Sequence, residues 1–173
     1  GFENVLKLAK NTGVKRVYFS SSSEVYGEPF EIPQNEKTTP LNSRLPYAVV
    51  KNVGEAYLTT YQREYGLPYT IFRFFNTYGP NQTEDFVLPR FVRLAMRGEP
   101  LTIYGDGQQT RTFCFVDDTV GACLSAHYRK AFINDVVNVG GAEEITIRAL
   151  AELVIETCGS RSELRFLPPL TEG

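Results

Sequence analysis

Several residue types and patterns are scarce in this sequence, and each absence narrows the possible functions. The only histidine is His127, which excludes a histidine-rich metal site. Cys114, Cys123 and Cys158 are an odd set without Cys-x-x-Cys spacing, which favours reduced thiols over a disulfide framework. No apolar run approaches the roughly 20 residues of a membrane span, and no signal peptide is visible. We therefore expect a cytoplasmic protein with no metal site and no membrane partner.

The sequence also lacks a large excess of positive or negative charge. The 173 residues carry a formal net charge of −2, whereas a nucleic-acid footprint needs clustered positive charge. With 42% hydrophobic and 22% charged residues, the composition is that of an ordinary globular protein long enough to bury a core. We expect no nucleic-acid partner.

Strand patterns alternate with helix patterns along the chain, which predicts an α/β fold. The helix patterns cover 3–10, 47–65, 88–97, 117–129 and 147–158, with Asp117 or Asp118 as the cap of the fourth. Strand patterns cover 16–20, 70–74, 101–104, 111–116 and 136–139. A polar loop of about twenty residues, in which Pro29 is one of four prolines, precedes the second helix, and a loop of that length is usually functional or mobile.

A tyrosine and a lysine lie four residues apart at the start of the second helix. Tyr47 and Lys51 therefore share a face of that helix. A cation beside a phenol favours its ionised form, and such a phenol can act as a general base. The chain has 10 tyrosines, so this spacing alone is more typical of a solvated pair than of a catalytic one.

Other motifs surround this pair in a fixed order. A serine cluster, 20–27, ends the strand before the helix, and an Asn-containing loop, 75–80, ends the strand after it. Further motifs occupy 105–113 and 116–118. As an ordered set that covers nearly the whole chain, they resemble the extended short-chain dehydrogenase/reductases, in particular the NAD-dependent sugar-nucleotide epimerase/dehydratase family.

The resemblance implies an incomplete NAD-binding Rossmann fold, a doubly wound parallel sheet, with a smaller α/β substrate-binding domain. The predicted division assigns 1–78 and 111–131 to the NAD-binding domain, and 79–110 and a truncated 132–173 to the substrate-binding domain. In this family a Gly-x-x-Gly-x-x-Gly loop that holds the pyrophosphate comes first, and this sequence contains no such loop. Because the chain also begins at Gly1, we expect it to be the C-terminal part of a larger protein, inactive by itself.

The resemblance also implies catalytic roles for four side chains. Tyr47 would take a proton from the sugar 4-hydroxyl while NAD accepts a hydride, which gives a 4-keto sugar. Ser22 would donate a hydrogen bond to the same sugar oxygen, and Lys51 would bind the nicotinamide ribose. Glu24 resembles the acid of nucleotide-sugar dehydratases and decarboxylases, where a carboxylate can move a second proton.

Binding residues follow from the same resemblance. Ser20, Ser21 and Phe75 are expected to line the nicotinamide pocket, together with Tyr47 and Lys51. The expected substrate is a nucleotide sugar, namely a UDP-sugar. The residues expected to hold it are Asn76, Leu88, Thr102, Tyr104 and Arg111. Arginine suits the diphosphate because its planar fork of donors matches phosphate oxygens.

The product remains open at the level of sequence. The run 109–114 resembles UDP-glucuronate decarboxylases, whereas the tail 167–170 resembles some 4-epimerases. C4 epimerisation, decarboxylation and dehydration are therefore all compatible with the motifs, and so is a non-catalytic NAD- or nucleotide-binding protein of the same fold.

In the second helix, Val50, Tyr57 and Tyr61 form an apolar stripe typical of either a core or the interface of a homodimer.

Overall fold

The computed structural model describes residues 1–28 and 30–169. Pro29 of the predicted polar loop and Leu170 of the tail motif lie outside the described residues, as do the last three positions of the predicted segment 132–173. The helices are α1 (Phe2–Asn11), α2 (Pro46–Tyr65), α3 (Val87–Arg97), α4 (Val116–Tyr128) and α5 (Ile147–Thr157). The strands are β1 (Val17–Ser22), β2 (Tyr69–Phe74), β3 (Thr77–Tyr78), β4 (Leu101–Tyr104), β5 (Thr110–Thr112), β6 (Cys114–Phe115), β7 (Asp135–Val139), β8 (Glu144–Thr146) and β9 (Leu164–Leu167).

The chain forms two compact units, 1–75 with 117–140 and 76–116 with 141–173. This division differs from the predicted one at three places. Residues 76–78 belong to the second unit, in which β3 pairs with β6. Residues 132–140 belong to the first unit because β7 pairs with β2, and 111–116 belong to the second because β5 and β6 pair there. The assignment of one unit to NAD and the other to substrate stays a prediction.

The first unit contains a parallel sheet in the order β1–β2–β7. Its central strand β2 is almost fully buried, which explains the continuous apolar run in its sequence. One core lies where α1 and α2 pack on the sheet, with Leu6, Leu58 and Ile71 at most 1% exposed. A second cluster of Phe72, Ala126 and Val139 includes a residue of α4. The predicted α/β class with a parallel sheet is confirmed.

Helix α2 begins and ends as its sequence predicts. Pro46 occupies the first turn, where its missing N–H costs no hydrogen bond, and Gly66 ends the helix in the left-handed region with φ 67°. Gly54 lets the helix lie against β1, because a Cβ there would overlap the ring of Phe19. The position of Lys51 therefore depends on a close helix–strand contact.

The second unit has its own core between α3, α5 and β4. Phe91, Leu101 and Ala151 are fully buried there. Three two-stranded pairs, β3–β6, β4–β9 and antiparallel β5–β8, surround this core. Helix α5 begins as predicted, since the Thr146 hydroxyl accepts a hydrogen bond from the Ala149 amide at 3.0 Å.

Two local predictions were wrong. The predicted strand 111–116 is divided into β5 and β6, since Arg111 pairs with Ile145 of β8 whereas Cys114 pairs with Thr77 of β3. Helix α4 begins at Val116, so Asp117 and Asp118 lie inside its first turn instead of capping it. Carboxylates in the first turn still interact favourably with the positive end of the helix dipole.

Among the described residues, no helix is long and apolar enough to span a bilayer.

We expect Gly141→Ala to lower the free energy of unfolding by about 1–3 kcal/mol, the usual range for overpacking. A Cβ at Gly141 would overlap the carbonyl oxygen of Phe113, and a backbone atom cannot rotate away as a side chain can. Urea denaturation measures the change. The control is Gly121→Ala in α4, where a Cβ meets no atom within 4 Å. That variant should gain roughly 0.5–1 kcal/mol, because alanine favours the helix. Equal stability of the two variants would contradict this reasoning.

Candidate active site

The serine cluster forms the end of β1 and the turn that follows it. Successive side chains of a strand point to opposite faces, so Ser20 and Ser22 share one face and Ser21 faces the other way. Ser22 pairs with Phe74 of β2 and ends the strand. Its hydroxyl oxygen accepts a hydrogen bond from the Glu24 amide at 3.2 Å and so caps the 3₁₀ turn Ser23–Tyr26. The hydroxyl proton of Ser22 stays available to donate to a ligand.

Tyr47 and Lys51 occupy the first turns of α2, and the structure brings them together. The Lys51 ammonium lies 5.5 Å from the centroid of the Tyr47 ring and donates a hydrogen bond of 2.7 Å to the Ser20 carbonyl. This bond joins the start of α2 to the carboxyl end of β1. The Tyr47 side chain is 57% exposed, so a ligand can reach it.

Glu24 lies in the 3₁₀ turn with an exposed side chain. Its backbone amide is bonded to Ser22, but within 1–28 and 30–169 no hydrogen bond or ion pair holds its carboxylate. A carboxylate with no structural partner can serve as a proton carrier for a ligand.

Ser21 lies apart from its two neighbours. Its side chain is 3% exposed, and its hydroxyl donates a hydrogen bond of 2.5 Å to the Glu55 carboxylate. Any contact between Ser21 and a nicotinamide therefore involves its backbone rather than its hydroxyl. The alternation of the strand was the signal that could have separated Ser21 from Ser20 and Ser22.

Phe75 follows β2 at the same sheet edge. Its amide donates a hydrogen bond of 2.9 Å to the Val139 carbonyl at the end of β7. Gly140 approaches it so closely that a Cβ there would lie 2.8 Å from the Phe75 Cβ. Phe75 is thus fixed beside the carboxyl ends of two parallel strands, where open α/β sheets bind ligands.

The predicted substrate residues lie in the second unit. The side-chain amide of Asn76 donates a hydrogen bond of 3.0 Å to the carbonyl of Thr112, the last residue of β5. Arg111 is exposed, and one of its guanidinium nitrogens donates to the Thr110 carbonyl. The Arg90 guanidinium lies 6.0 Å from the centroid of the Tyr104 ring.

A groove of about 1190 Å³ opens in the second unit beside α3 and α5. Of the predicted substrate residues only Leu88 lines it, and Thr102, Tyr104 and Arg111 do not. Its lining is mixed, since apolar side chains such as Val92 and Leu153 lie in it together with Arg93 and Arg97.

The residues present fit one half of a bound dinucleotide. An exposed tyrosine, a lysine ammonium and the Ser20 carbonyl meet at the carboxyl end of β1, and such groups can bind ribose hydroxyls. For the pyrophosphate, the sequence offers no glycine-rich loop at a helix N-terminus.

Sequence reasoning missed a buried polar group below this site. Glu55, Arg73 and Tyr26 are at most 5% exposed, and Arg73 donates hydrogen bonds to both of the others. The sequence did contain a signal for this group. Glu55 and Arg73 carry opposite charges in two largely apolar segments, α2 and β2, and buried charges are usually paired.

A family model described as the NAD dependent epimerase/dehydratase family matches residues 1–140. The chain belongs to this family, which confirms the resemblance.

The relatives that match include several kinds of sugar-nucleotide enzyme. UDP-glucuronic acid decarboxylase 1 of Danio rerio is 38% identical over 174 residues, which cover 97% of this chain and 41% of the relative. The structure of UDP-glucose 4-epimerase with UDP-glucose from Thermotoga maritima has a TM-score of 0.91 and 34% identity, covering 98% of this chain and 56% of that one. The UDP-glucose 4-epimerase of Thermus thermophilus in complex with NAD has a TM-score of 0.85 and 31% identity, with 97% and 56% covered. The chain spans about half the length of the curated relatives it matches.

Proposed function

We propose that this protein acts in NAD-dependent modification of a UDP-sugar through a 4-keto intermediate. One observation carries the proposal: Lys51 bridges Tyr47 and the carboxyl end of the serine strand, so the whole predicted catalytic set lies at one edge of one sheet. The likeness to UDP-sugar epimerases and decarboxylases supports the substrate class. A purely nucleotide-binding protein would have no use for a base and a hydroxyl donor in this arrangement.

Each residue has a distinct task in this proposal. Tyr47 takes the proton of the sugar 4-hydroxyl, and the Lys51 ammonium stabilises the phenolate that Tyr47 must be to do so. Ser22 donates a hydrogen bond to the same sugar oxygen. NAD, when bound, supplies the redox chemistry, and the chain holds its nicotinamide end through Lys51 and Phe75. Asn76 and Arg111 are assigned to the substrate, with Leu88, Thr102 and Tyr104 towards the nucleotide.

The same proposal extends to assembly and location. Two of the three residues of the predicted stripe on α2 are exposed, Val50 to 68% and Tyr57 to 37%, whereas Tyr61 is buried. Val53 of the same helix is 49% exposed. We assign this exposed surface to a homodimer. We also assign the protein to the cytoplasm, and the free thiols of Cys123 and Cys158 support a reducing environment. Because the glycine loop is missing from 1–173, we also propose that these residues alone are inactive.

Product analysis of the complete gene product tests this function. With NAD it should convert UDP-glucose, UDP-galactose or UDP-glucuronate, and the product identifies the reaction as isomerisation or elimination. Binding of NAD without turnover of any sugar nucleotide would favour the non-catalytic alternative.

Glu24→Gln separates the possible products. If the reaction is decarboxylation or dehydration, the variant should still oxidise C4 but stall at the next step, because the second proton loses its carrier. Stopped-flow absorbance should show reduced nicotinamide that persists, and mass spectrometry should detect the 4-keto sugar. Glu28→Gln, an exposed glutamate after the turn, is the matched control. Interconversion of gluco and galacto forms at the native rate by Glu24→Gln would assign the protein as a 4-epimerase.

A further inference from the structure

The first unit contains a buried polar network that the proposed mechanism does not use. Its members are Ser21, Tyr26, Glu55, Arg73 and Asn138, and we call it the Glu55–Arg73 network. They come from β1, the 3₁₀ turn, α2, β2 and β7, so the network joins five elements of one unit.

Glu55 and Arg73 form its centre. Two nitrogens of the Arg73 guanidinium donate to the two carboxylate oxygens of Glu55, at 3.1 and 2.7 Å. The third nitrogen donates to the Tyr26 hydroxyl at 2.8 Å, and that hydroxyl donates to the Asn138 side chain at 2.7 Å. Ser21 completes the carboxylate shell with its bond of 2.5 Å. Nearly all hydrogen-bond donors of Arg73 and acceptors of Glu55 are therefore engaged in one arrangement.

The loop before α2 is held by the same network. The backbone carbonyl of Glu36 accepts a longer hydrogen bond of 3.4 Å from Arg73. The Glu36 carboxylate accepts one of 2.7 Å from the backbone amide of Asn138. The Asn138 side chain donates to the Gln34 carbonyl at 2.9 Å. This part of the long loop is thus attached to the sheet.

Stability alone does not account for such a pair. Removing two charges from water costs free energy that their attraction often only offsets, and a well-packed apolar pair can be equally stable. Burial lowers the pKa of Arg73, but the hydrogen bonds to Glu55 and Tyr26 and the charge of Glu55 raise it more, so the guanidinium stays charged. A bidentate ion pair has a defined geometry, so it can fix how a helix is rotated on a sheet. Apolar contacts are not directional and do not fix this rotation.

Members of the network lie next to the predicted catalytic residues in the sequence. Ser21 lies between Ser20, whose carbonyl accepts the Lys51 ammonium, and Ser22. Glu55 lies one turn after Lys51 on the same face of α2. A change at Glu55 therefore acts on both partners of the bond between Lys51 and the serine strand.

We propose that Glu55 and Arg73 are positioning residues that hold Lys51 of α2 and Ser22 of β1 in register for the reaction. The inference rests on the proposed function, since it assigns the network a task in that reaction. Neither residue touches the substrate. Both act through the placement of the helix and the strand end.

The test compares two variants of the complete gene product with the wild type. The double variant Glu55→Met/Arg73→Met keeps side-chain volume and removes both charges, so the protein should fold. Its kcat should fall about 100-fold, as expected when reacting groups move by about 1 Å, while KM changes little. Glu55→Asp keeps the charge but withdraws it by one methylene, and it should lose roughly tenfold in kcat. If the double variant does not fold, the Glu55→Asp variant still tests the proposal.

Two readouts distinguish positioning from structural support. Urea denaturation should show that the variants are fully folded under assay conditions, and Glu64→Asp, at an exposed position of the same helix, should keep wild-type kcat. Crystal structures of the variants should show the Lys51 ammonium beyond about 3.5 Å from the Ser20 carbonyl, outside hydrogen-bond range. Folded variants that keep both this contact and kcat would overturn the inference, as would a loss of stability with kcat unchanged. If the wild type converts no sugar nucleotide, the proposed function fails, while the crystal structures still decide the positioning role.

Discussion

Tyr47→Phe should lower the turnover of the complete gene product by about 100- to 10,000-fold, the range that general acid–base catalysis contributes. The change removes one hydroxyl oxygen and leaves the ring, which lies 5.5 Å from the Lys51 ammonium, in place. Since the hydroxyl acts mainly in proton transfer, KM for the sugar nucleotide and the affinity for NAD should stay near their wild-type values. Steady-state kinetics and calorimetry measure the two effects separately.

A matched control lies at the other end of the same helix. Tyr65 is half exposed, and its ring packs edge-on against Tyr61 and lies under the Lys10 ammonium. Its hydroxyl is hydrogen-bonded to Glu64, the neighbouring residue on the exposed end of the helix. Tyr65→Phe should therefore leave turnover unchanged. A Tyr47→Phe variant that loses affinity but retains turnover would show that this hydroxyl binds substrate rather than moving a proton.

Lys51→Met should lower turnover by at least about 100-fold and also weaken NAD binding, because two functions are lost together. Its ammonium donates to the Ser20 carbonyl and lies over the Tyr47 ring, so removal loosens the contact between helix and strand and takes away the cation that stabilises the phenolate. Lys51→Arg should restore little, since the planar guanidinium cannot replace a compact ammonium at this position. Kinetics and NAD calorimetry on the same preparations give both values.

Lys15→Met is the control for loss of a lysine charge, because Lys15 is exposed and lies before β1. It should behave as the wild type. Wild-type turnover in Lys51→Met would remove the lysine from the mechanism and leave its bond to Ser20 as a purely structural contact.

The fold was predictable where local signals agreed. Pro46 and Gly66 mark both ends of α2, and the apolar run of β2 indicates a strand covered on both faces. Strands of two or three residues, such as β3 and β8, carry too little pattern to detect. The division of 111–116 could not be foreseen, because it depends on two such short partners.

The candidate site shows the same limit. The Tyr47–Lys51 spacing and the serine cluster were readable because chemistry requires those residue types in that order. The Glu55–Arg73 pair joins residues 18 positions apart in two different elements, so only the packing of α2 against the sheet reveals it. The bond between the Ser21 hydroxyl and Glu55 could not be foreseen, because a run of identical residues conceals which face each one occupies.

The most direct measurement uses a UDP-sugar with deuterium at C4, incubated with the complete gene product and NAD in a single turnover. The account predicts transient absorbance of reduced nicotinamide, whose rate of appearance falls by a primary isotope effect with the labelled sugar. Tyr47→Phe should nearly abolish that absorbance. Product formation without any transient reduction of the cofactor, at a rate that the label does not change, would contradict oxidation at C4.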